Sequence, residues 1–306
     1  MRIYRDHSDI PAEARGASAA LGNFDGLHLG HQGVIDLARC PGAPLAVITF
    51  EPHPREVFAP EAPPFRLMSP AAKASRLAKL GVDILFELPF ERIAPLSAEA
   101  FMSDVLADAL DLSHVVVGRD FRFGKGRSGD ADLLRAGGAR HGFEVTLASL
   151  IGGEAPVSST AIRAALTQGR PRDAGRMLGH WHRIEGPVLH GEKRGRDLGY
   201  PTANLSVDGL HLPKLGVYAV IVDILDGPHA GRRHGVASLG VRPMFGENAP
   251  NLETHLFDFA GDLYGVPISV ALVEYLRPEQ SFDGLAALIA QMDADSAQAR
   301  AVLDAL

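Results

Sequence analysis

The periodicity of the chain changes once, near Gly179, and that change constrains the fold more than any other feature. Before it, short β-rich runs alternate with capped helical segments. "PLAVITF" (44–50) reads as a strand. "SPAAKASRLAKLG" (69–81) reads as a helix with Ser69 as N-cap, Pro70 in the first turn and Gly81 as the stop. "VDILFEL", "SHVVVG" and "FEVTLAS" predict further strands, and "SAEAFMSDVLADAL" and "ADLLRAGGARHG" predict helices. Strand followed by helix in turn specifies a parallel α/β sheet. After Gly179 the runs "GVYAVIVDIL", "HGVASLGV", "LETHLFDF" and "VPISVALVEYL" are separated by Gly, Pro and Asn, as in a small antiparallel barrel or sandwich. An Ala-rich helix, "SFDGLAALIAQMDADSAQARAVLDAL", closes the chain. Two domains are expected, 1–180 and 181–306, which suits a length of 306 residues.

Composition enters mainly by exclusion. The net charge of −7 gives no bulk attraction to nucleic acid, and basic and aromatic residues interleave too sparsely for a single-strand groove. No window approaches the ~18 apolar residues of a membrane span, and the polar start "MRIYRDHSDIPAEARG" lacks the apolar core of a signal peptide. The single cysteine, Cys40, allows neither an internal disulfide nor a Cys-type zinc site, and fits a reducing cytoplasm. A homo-oligomer is compatible with all of this.

Three segments carry candidate chemistry. "LGNFDGLHLGHQGVI" (21–35) puts His28 and His31 at the start of a helix, with Gly22, Gly26 and Gly30 letting backbone approach a ligand. Free N–H groups at a helix start and two imidazole donors suit a phosphate. A metal pair lacking its third ligand and a purely structural turn are the competing readings. "VSSTAIRAAL" (157–166) groups Ser158, Ser159, Thr160 and Arg163 at a second helix start; an ordinary N-cap with a solvated arginine is its plain alternative. "GKGRSG" (124–129) matches G-x-G-x-x-G but does not join a strand to a helix, so it reads as a flexible loop.

The third segment is "HGEKRGRDLGYPTANLS" (190–206). Gly191, Gly195 and Gly199 permit a mobile flap, and Lys193, Arg194 and Arg196 offer charge for phosphates. Thr202 and Asn204, two apart on an extended stretch, point the same way and present hard oxygens suited to Mg²⁺. A turn with a solvated basic loop is the alternative. Glu253, on the alternating run "LETHLFDF", faces solvent or serves as a general base at the mouth of a barrel.

"GNFDGLHLGH" followed by "SSTAIR" resembles the nucleotidyltransferase superfamily with its HxGH signature. "TFEPHPREVF" and "VVVGRDFRFG" narrow the resemblance to the bacterial bifunctional riboflavin kinase/FMN adenylyltransferase family. "GRDLGYPTANL", "LPKLGVYAV", "GVASLGVRPMFG", "LETHLFDFAGDLYG" and "YLRPEQSF" extend it, in order, over the second half. The resemblance implies a Rossmann-like nucleotidyltransferase domain followed by an antiparallel β-barrel kinase domain with a C-terminal helix. It implies riboflavin, ATP and FMN as substrates, FAD as product, and Mg²⁺ accompanying ATP. Glu253 is then the base of phosphoryl transfer, and Thr202 and Asn204 hold the metal. Gly191, Lys193 and Arg196 bind the kinase ATP. His28 and His31 stabilise adenylyl transfer, with Gly22, Asn23, Gly30, Ser159, Thr160 and Arg163 on the second ATP. Asp120, Phe123 and Arg242 are carried over to the flavin. One departure is Met244, where the family shows Thr in R-P-T-F. It raises an alternative: a monofunctional FMN adenylyltransferase with an impaired kinase barrel.

Overall fold

Caps and stops set most element boundaries as expected. The computed structural model describes residues 1–149, 157–191, 199–244 and 247–306, with backbone alone at 242–244 and 247–249. Lys193 and Arg196, and most of the expected flap, lie outside the described residues. The chain divides into two units, one of residues 1–62 and 73–157, the other of residues 63–72 and 158–306. The second unit thus takes in a short segment of the first half and the two helices that precede residue 180.

In the first unit the strands are β1 (Arg2–Tyr4), β2 (Ser18–Leu21), β3 (Leu45–Glu51), β4 (Ile84–Pro89), β5 (His114–Gly118), β6 (Arg122–Phe123), β7 (Gly129–Asp130) and β8 (Glu144–Ala148). The helices are α1 (Leu29–Leu37), α2 (Pro54–Phe58), α3 (Pro70–Lys79, with Lys73 onward in this unit), α4 (Phe90–Ile93), α5 (Ala98–Ala100) and α6 (Ala131–His141). Ser69 caps α3 through the Ala72 N–H, and Ser97 and Asp130 cap α5 and α6. Gly142 ends α6 at φ 89°, where L side chains are disfavoured. The helix that begins at Ala98 continues as a π-helix over Phe101–Ala109, a winding that apolar spacing does not reveal. "GKGRSG" is the turn of a two-stranded ribbon, β6 with β7, containing a short 3₁₀ turn.

The main sheet is parallel throughout, in the order β1-β4-β3-β2-β5-β8. All four residues of β2 are buried, as a central strand covered on both faces requires. From β2 the chain moves to β3 on one side and later to β5 on the other. The carboxyl end of β2 is therefore a topological switch point, where a crevice opens in sheets of this kind.

The second unit contains α7 (Ser159–Thr167) and α8 (Pro171–Leu178), then β9 (His182–Pro187), β10 (Ala203–Ser206), β11 (Gly216–Ile224), β12 (Gly231–Met244), β13 (Glu247–Leu256), β14 (Pro267–Arg277) and α9 (Leu285–Asp304). Its six strands are antiparallel in the order β10-β13-β12-β11-β14-β9. One further bridge, Leu189 to Asn204, joins the two ends of that order and closes a barrel. Leu205, Leu239, Leu252, Val220 and Leu272 fill the interior. The outer face of β11 and β14 is covered by α9 through Ala299 and Leu303.

Candidate active sites

The switch point at the end of β2 is occupied by "GNFDGLH". Phe24 and Leu27 sit at φ 50° and 47°, left-handed values that cost a non-glycine residue about 1–3 kcal/mol each. Both side chains are almost wholly buried, at 2% and 0% exposure, and this anchorage holds the bend. The bend delivers His28 to the N-cap of α1, where its Nδ1 accepts the His31 backbone N–H at 3.2 Å. An accepting Nδ1 leaves the proton of the neutral ring on Nε2, so His28 presents a donor on its other edge. The His31 ring stacks on it, centroids 3.6 Å apart and 17° from parallel, and meets the Phe24 ring edge-on at 5.3 Å. A Cβ on Gly30 would stand 3.1 Å from the His28 ring, so the glycine makes room for the stack.

Burial lowers the pKa of His28 to about 4. Burial, then the neighbouring His28 and Lys73, pushes His31 well below its ordinary value. Both rings are thus neutral hydrogen-bonding groups at pH 7. Lys73, 1% exposed, lies behind the bend: its Nζ reaches Thr49 Oγ1 at 3.2 Å and Glu51 Oε1 at 3.4 Å, and Thr49 donates to the Asn23 carbonyl at 3.2 Å. Sequence reasoning missed this lysine, because at helical spacing in "SPAAKASRL" it reads as an outward charge. Asn23 itself is exposed and Gly22 partly so. Asp120 is exposed, whereas Phe123 is 7% exposed and packed on Phe101 and Phe121. Among the described residues no three His, Cys, Asp or Glu form a group that could hold a metal ion.

Ser158 is the N-cap of α7, its Oγ taken by the Ala161 N–H at 3.2 Å, which leaves Ser159 and Thr160 on the first turn. Arg163 donates from Nε to the Phe65 carbonyl at 2.6 Å, and its guanidinium stands 5.5 Å from the Phe65 ring centre. The solvated-arginine reading fails there, because the chain returns to this side chain 98 residues earlier in sequence.

On the barrel, Leu252 and the fully buried Thr254 alternate with Glu253, which turns Glu253 to the outer face. It is therefore beside the barrel and not at its mouth. Asn204 on β10 pairs directly with Glu253 on β13, and Ser238 on β12 pairs with Glu253 from the other side. Directly paired residues share a face with Cβ atoms about 5 Å apart. Asn204 is 5% exposed; its Oδ1 accepts from Asn251 Nδ2 at 3.1 Å. A Cβ on Gly191 would fall 2.5 Å from the Asn204 Nδ2, so only glycine fits beside that amide.

Next to this rung lies a cavity of about 490 Å³ between the outer face and α9, lined by Thr202, Glu253, His255, Phe282, Leu288 and Met292 among others. The size and mixed lining suit a planar, partly apolar ligand. Arg277 and Asp295 tie α9 over it with a part-buried bidentate pair at 2.7–3.1 Å, and the Arg277 guanidinium stands 5.7 Å from the Phe282 ring centre. The α9 roof was not foreseen, since an Ala-rich helix with weak amphipathicity does not declare what it covers. Arg242 and Met244 lie on β12, where only the backbone is described.

Comparison with known proteins follows the same two-part layout. A family model for FAD synthetase matches residues 10–161, and one for riboflavin kinase matches residues 178–303. A bifunctional riboflavin kinase/FMN adenylyltransferase of Pseudomonas fluorescens is 43% identical over 99% of this chain and 98% of its own length. The protein of the same description from Escherichia coli is 40% identical over 98% and 97%. A crystal structure described as a macrolide-efflux protein from Streptococcus pneumoniae is similar with a TM-score of 0.80 and 31% identity over 96% of both chains. With both halves matched and such relatives spanning nearly its whole length, the chain belongs to the family of bifunctional riboflavin kinases/FMN adenylyltransferases.

Proposed function

We propose that the chain carries both reactions of its family, phosphorylating riboflavin on the barrel and adenylylating the resulting FMN with residues assigned from the α1 segment and from the α7 segment. The observation that carries this reading is the Asn204–Glu253 pair beside the cavity. In the first reaction the flavin occupies the cavity with its ribityl chain toward Glu253. Glu253 takes the proton of the terminal hydroxyl as that oxygen attacks the γ-phosphorus of ATP, and ADP leaves. Little covalent chemistry is asked of the protein; positioning dominates. Gly191, Lys193 and Arg196 are assigned to the ATP of this step.

The residues present fit Mg²⁺. Thr202 offers a hydroxyl, and the Asn204 amide oxygen, with one N–H accepted, keeps a second lone pair. Bound there with ATP, the ion supplies charge neutralisation for the phosphates.

In the second reaction the FMN phosphate attacks the α-phosphorus of ATP, forming FAD and releasing pyrophosphate. One anion approaches another, so the demand is for donors and not for a base. Nε2–H of His28, the His31 ring and the first amides of α1 meet that demand. Gly22 and Gly30 leave the backbone accessible; Asn23, Ser159, Thr160 and Arg163 are assigned to the same ATP. Asp120, Phe123 and Arg242 remain assigned to the flavin. The kinase half begins near residue 181 in this reading. The lone cysteine fits a cytoplasmic location, and no helix among the described residues is long and apolar enough to cross a membrane.

Chromatography of products from purified protein, riboflavin, ATP and Mg²⁺ tests the whole reading. FMN appears first and FAD after it. FAD made from supplied FMN, with no FMN ever made from riboflavin, would leave only the adenylyltransferase.

A further inference from the structure

The helix that carries Arg163 is seated by a loop of the kinase half. After β10 the chain places Leu210 in the barrel core and His211 beside it. His211 Nε2 lies 3.1 Å from the Arg163 carbonyl and 3.1 Å from Thr167 Oγ1. A carbonyl only accepts, so Nε2 carries the proton and donates. The main-chain N–H of His211 donates to the Arg66 carbonyl at 2.7 Å, and Leu210 and Arg66 form an isolated parallel bridge. The residue before Arg66 is Phe65, whose carbonyl accepts from Arg163 Nε. His211 therefore grips both layers of one assembly: its side chain holds the backbone at Arg163, and its main chain holds the segment on which the Arg163 side chain rests.

We propose that His211 is a positioning residue for adenylyl transfer, fixing the direction of the Arg163 guanidinium. The inference rests on the assignment of Arg163 to ATP made above. A guanidinium recognises phosphate through a planar fork, so its usefulness depends on orientation as well as charge. Phe65, at Nε and through its ring, and His211, at the helix backbone, bear on that orientation. Removing the imidazole leaves α7 capped by Ser158 but frees it to shift against Phe65. The second reaction thus depends on a residue of the kinase half.

The test uses the full-length protein with His211→Ala, His211→Gln, Arg163→Ala and the double variant, each assayed for both reactions over a range of ATP. In His211→Ala the KM for ATP in FAD formation rises about 3–10-fold, the worth of one neutral hydrogen bond. Glutamine, whose amide N–H can replace Nε2–H, restores most of it. Riboflavin phosphorylation stays within about twofold. In the Arg163→Ala background the loss of His211 costs nothing further, because the two act as a unit. Parallel losses in both reactions with a lower unfolding midpoint, or full additivity with Arg163→Ala, would reduce His211 to a fold-holding residue and overturn the proposal. A silent His211→Ala beside an impaired Arg163→Ala overturns the positioning role alone. An unchanged ATP KM in Arg163→Ala overturns the assignment of Arg163, and the proposal with it.

Discussion

In the parallel-sheet unit the stacked imidazoles stand on backbone that enters left-handed space at Phe24 and Leu27, whereas on the barrel Asn204 and Glu253 face each other in regular antiparallel register. In the proposed assignment the two constructions answer two chemical demands. Transfer between two anions needs several donors converging on one point, and a strand end bent sharply into a helix start exposes N–H groups that a ladder would consume. Phosphorylation of a hydroxyl needs one base at a fixed distance from the phosphate-holding groups. A cross-strand pair supplies that distance from the register itself. The bend has to be anchored by buried side chains; the rung is part of the ladder it belongs to.

The sharpest way to break this comparison is to remove the central group on each side. Glu253→Gln keeps size and loses the base, so FMN formation falls about 10²–10⁴-fold while FMN-to-FAD conversion is unaffected. His31→Ala does the reverse, lowering FAD formation by about 10²–10³-fold, the scale of one lost transition-state donor, while FMN accumulates. Separate assays with riboflavin and with FMN read both. A variant that damages both reactions equally contradicts the division of labour.

Next in size is the roof. Asp295 is 4% exposed and paired with the half-buried Arg277, so Asp295→Ala leaves that guanidinium without its carboxylate and costs about 1–3 kcal/mol of stability. Urea unfolding measures it. At permissive temperature the same variant has a raised KM for riboflavin and an unchanged KM for FMN, if the cavity under α9 serves the kinase alone.

The glycines compare the two constructions at finer scale. A methyl on Gly191 meets the Asn204 amide at 2.5 Å, and one on Gly30 meets the His28 ring at 3.1 Å. Gly191→Ala therefore forces a real displacement and slows FMN formation by about tenfold to a hundredfold. Gly30→Ala asks for a few tenths of an ångström and slows FAD formation only several-fold. Reversal of that order would show the rung to be more compliant than the bend.

Much of this architecture is legible in the sequence because it is local. Ser69, Ser97 and Asp130 announce their helices, and the loss of strand–helix alternation after Gly179 announces the barrel. What stayed hidden depends on residues distant in sequence. Lys73 reads as a solvated charge until α3 is packed beside Thr49 and Glu51. Arg163 reads the same way until Phe65 returns to it. Glu253 shows its alternation plainly, but which face is the inner one is decided by Leu252 and Leu205 meeting across β13 and β10. The roof over the cavity depends on Asp295 finding Arg277, eighteen residues away.

A separate effect, seen only in acid, concerns pH. Burial holds His28 near a pKa of about 4 and His182, on β9, at about 3, against an ordinary value of 6.5. The unfolded chain therefore binds more protons between those values, so stability is full above about pH 7 and falls as pH drops from 6.5 toward 4 for His28 and toward 3 for His182. His182→Gln makes that acid limb shallower in the barrel's unfolding transition. An unchanged slope would mean that His182 is not held neutral.

Among the described residues the barrel's ends are joined by one bridge, Leu189 to Asn204, where the other strand pairs share four or more rungs. A cylinder sealed so lightly has a seam, and local opening starts where the fewest hydrogen bonds must break together. The Leu189 amide, bonded to the Asn204 carbonyl at 2.8 Å, should exchange with deuterium faster than amides along β11 and β12. Because Asn204 also carries the oxygen assigned to Mg²⁺, substrate binding would bolt the seam from outside, and protection at Leu189 would rise with ATP and Mg²⁺ while the β11–β12 amides barely change.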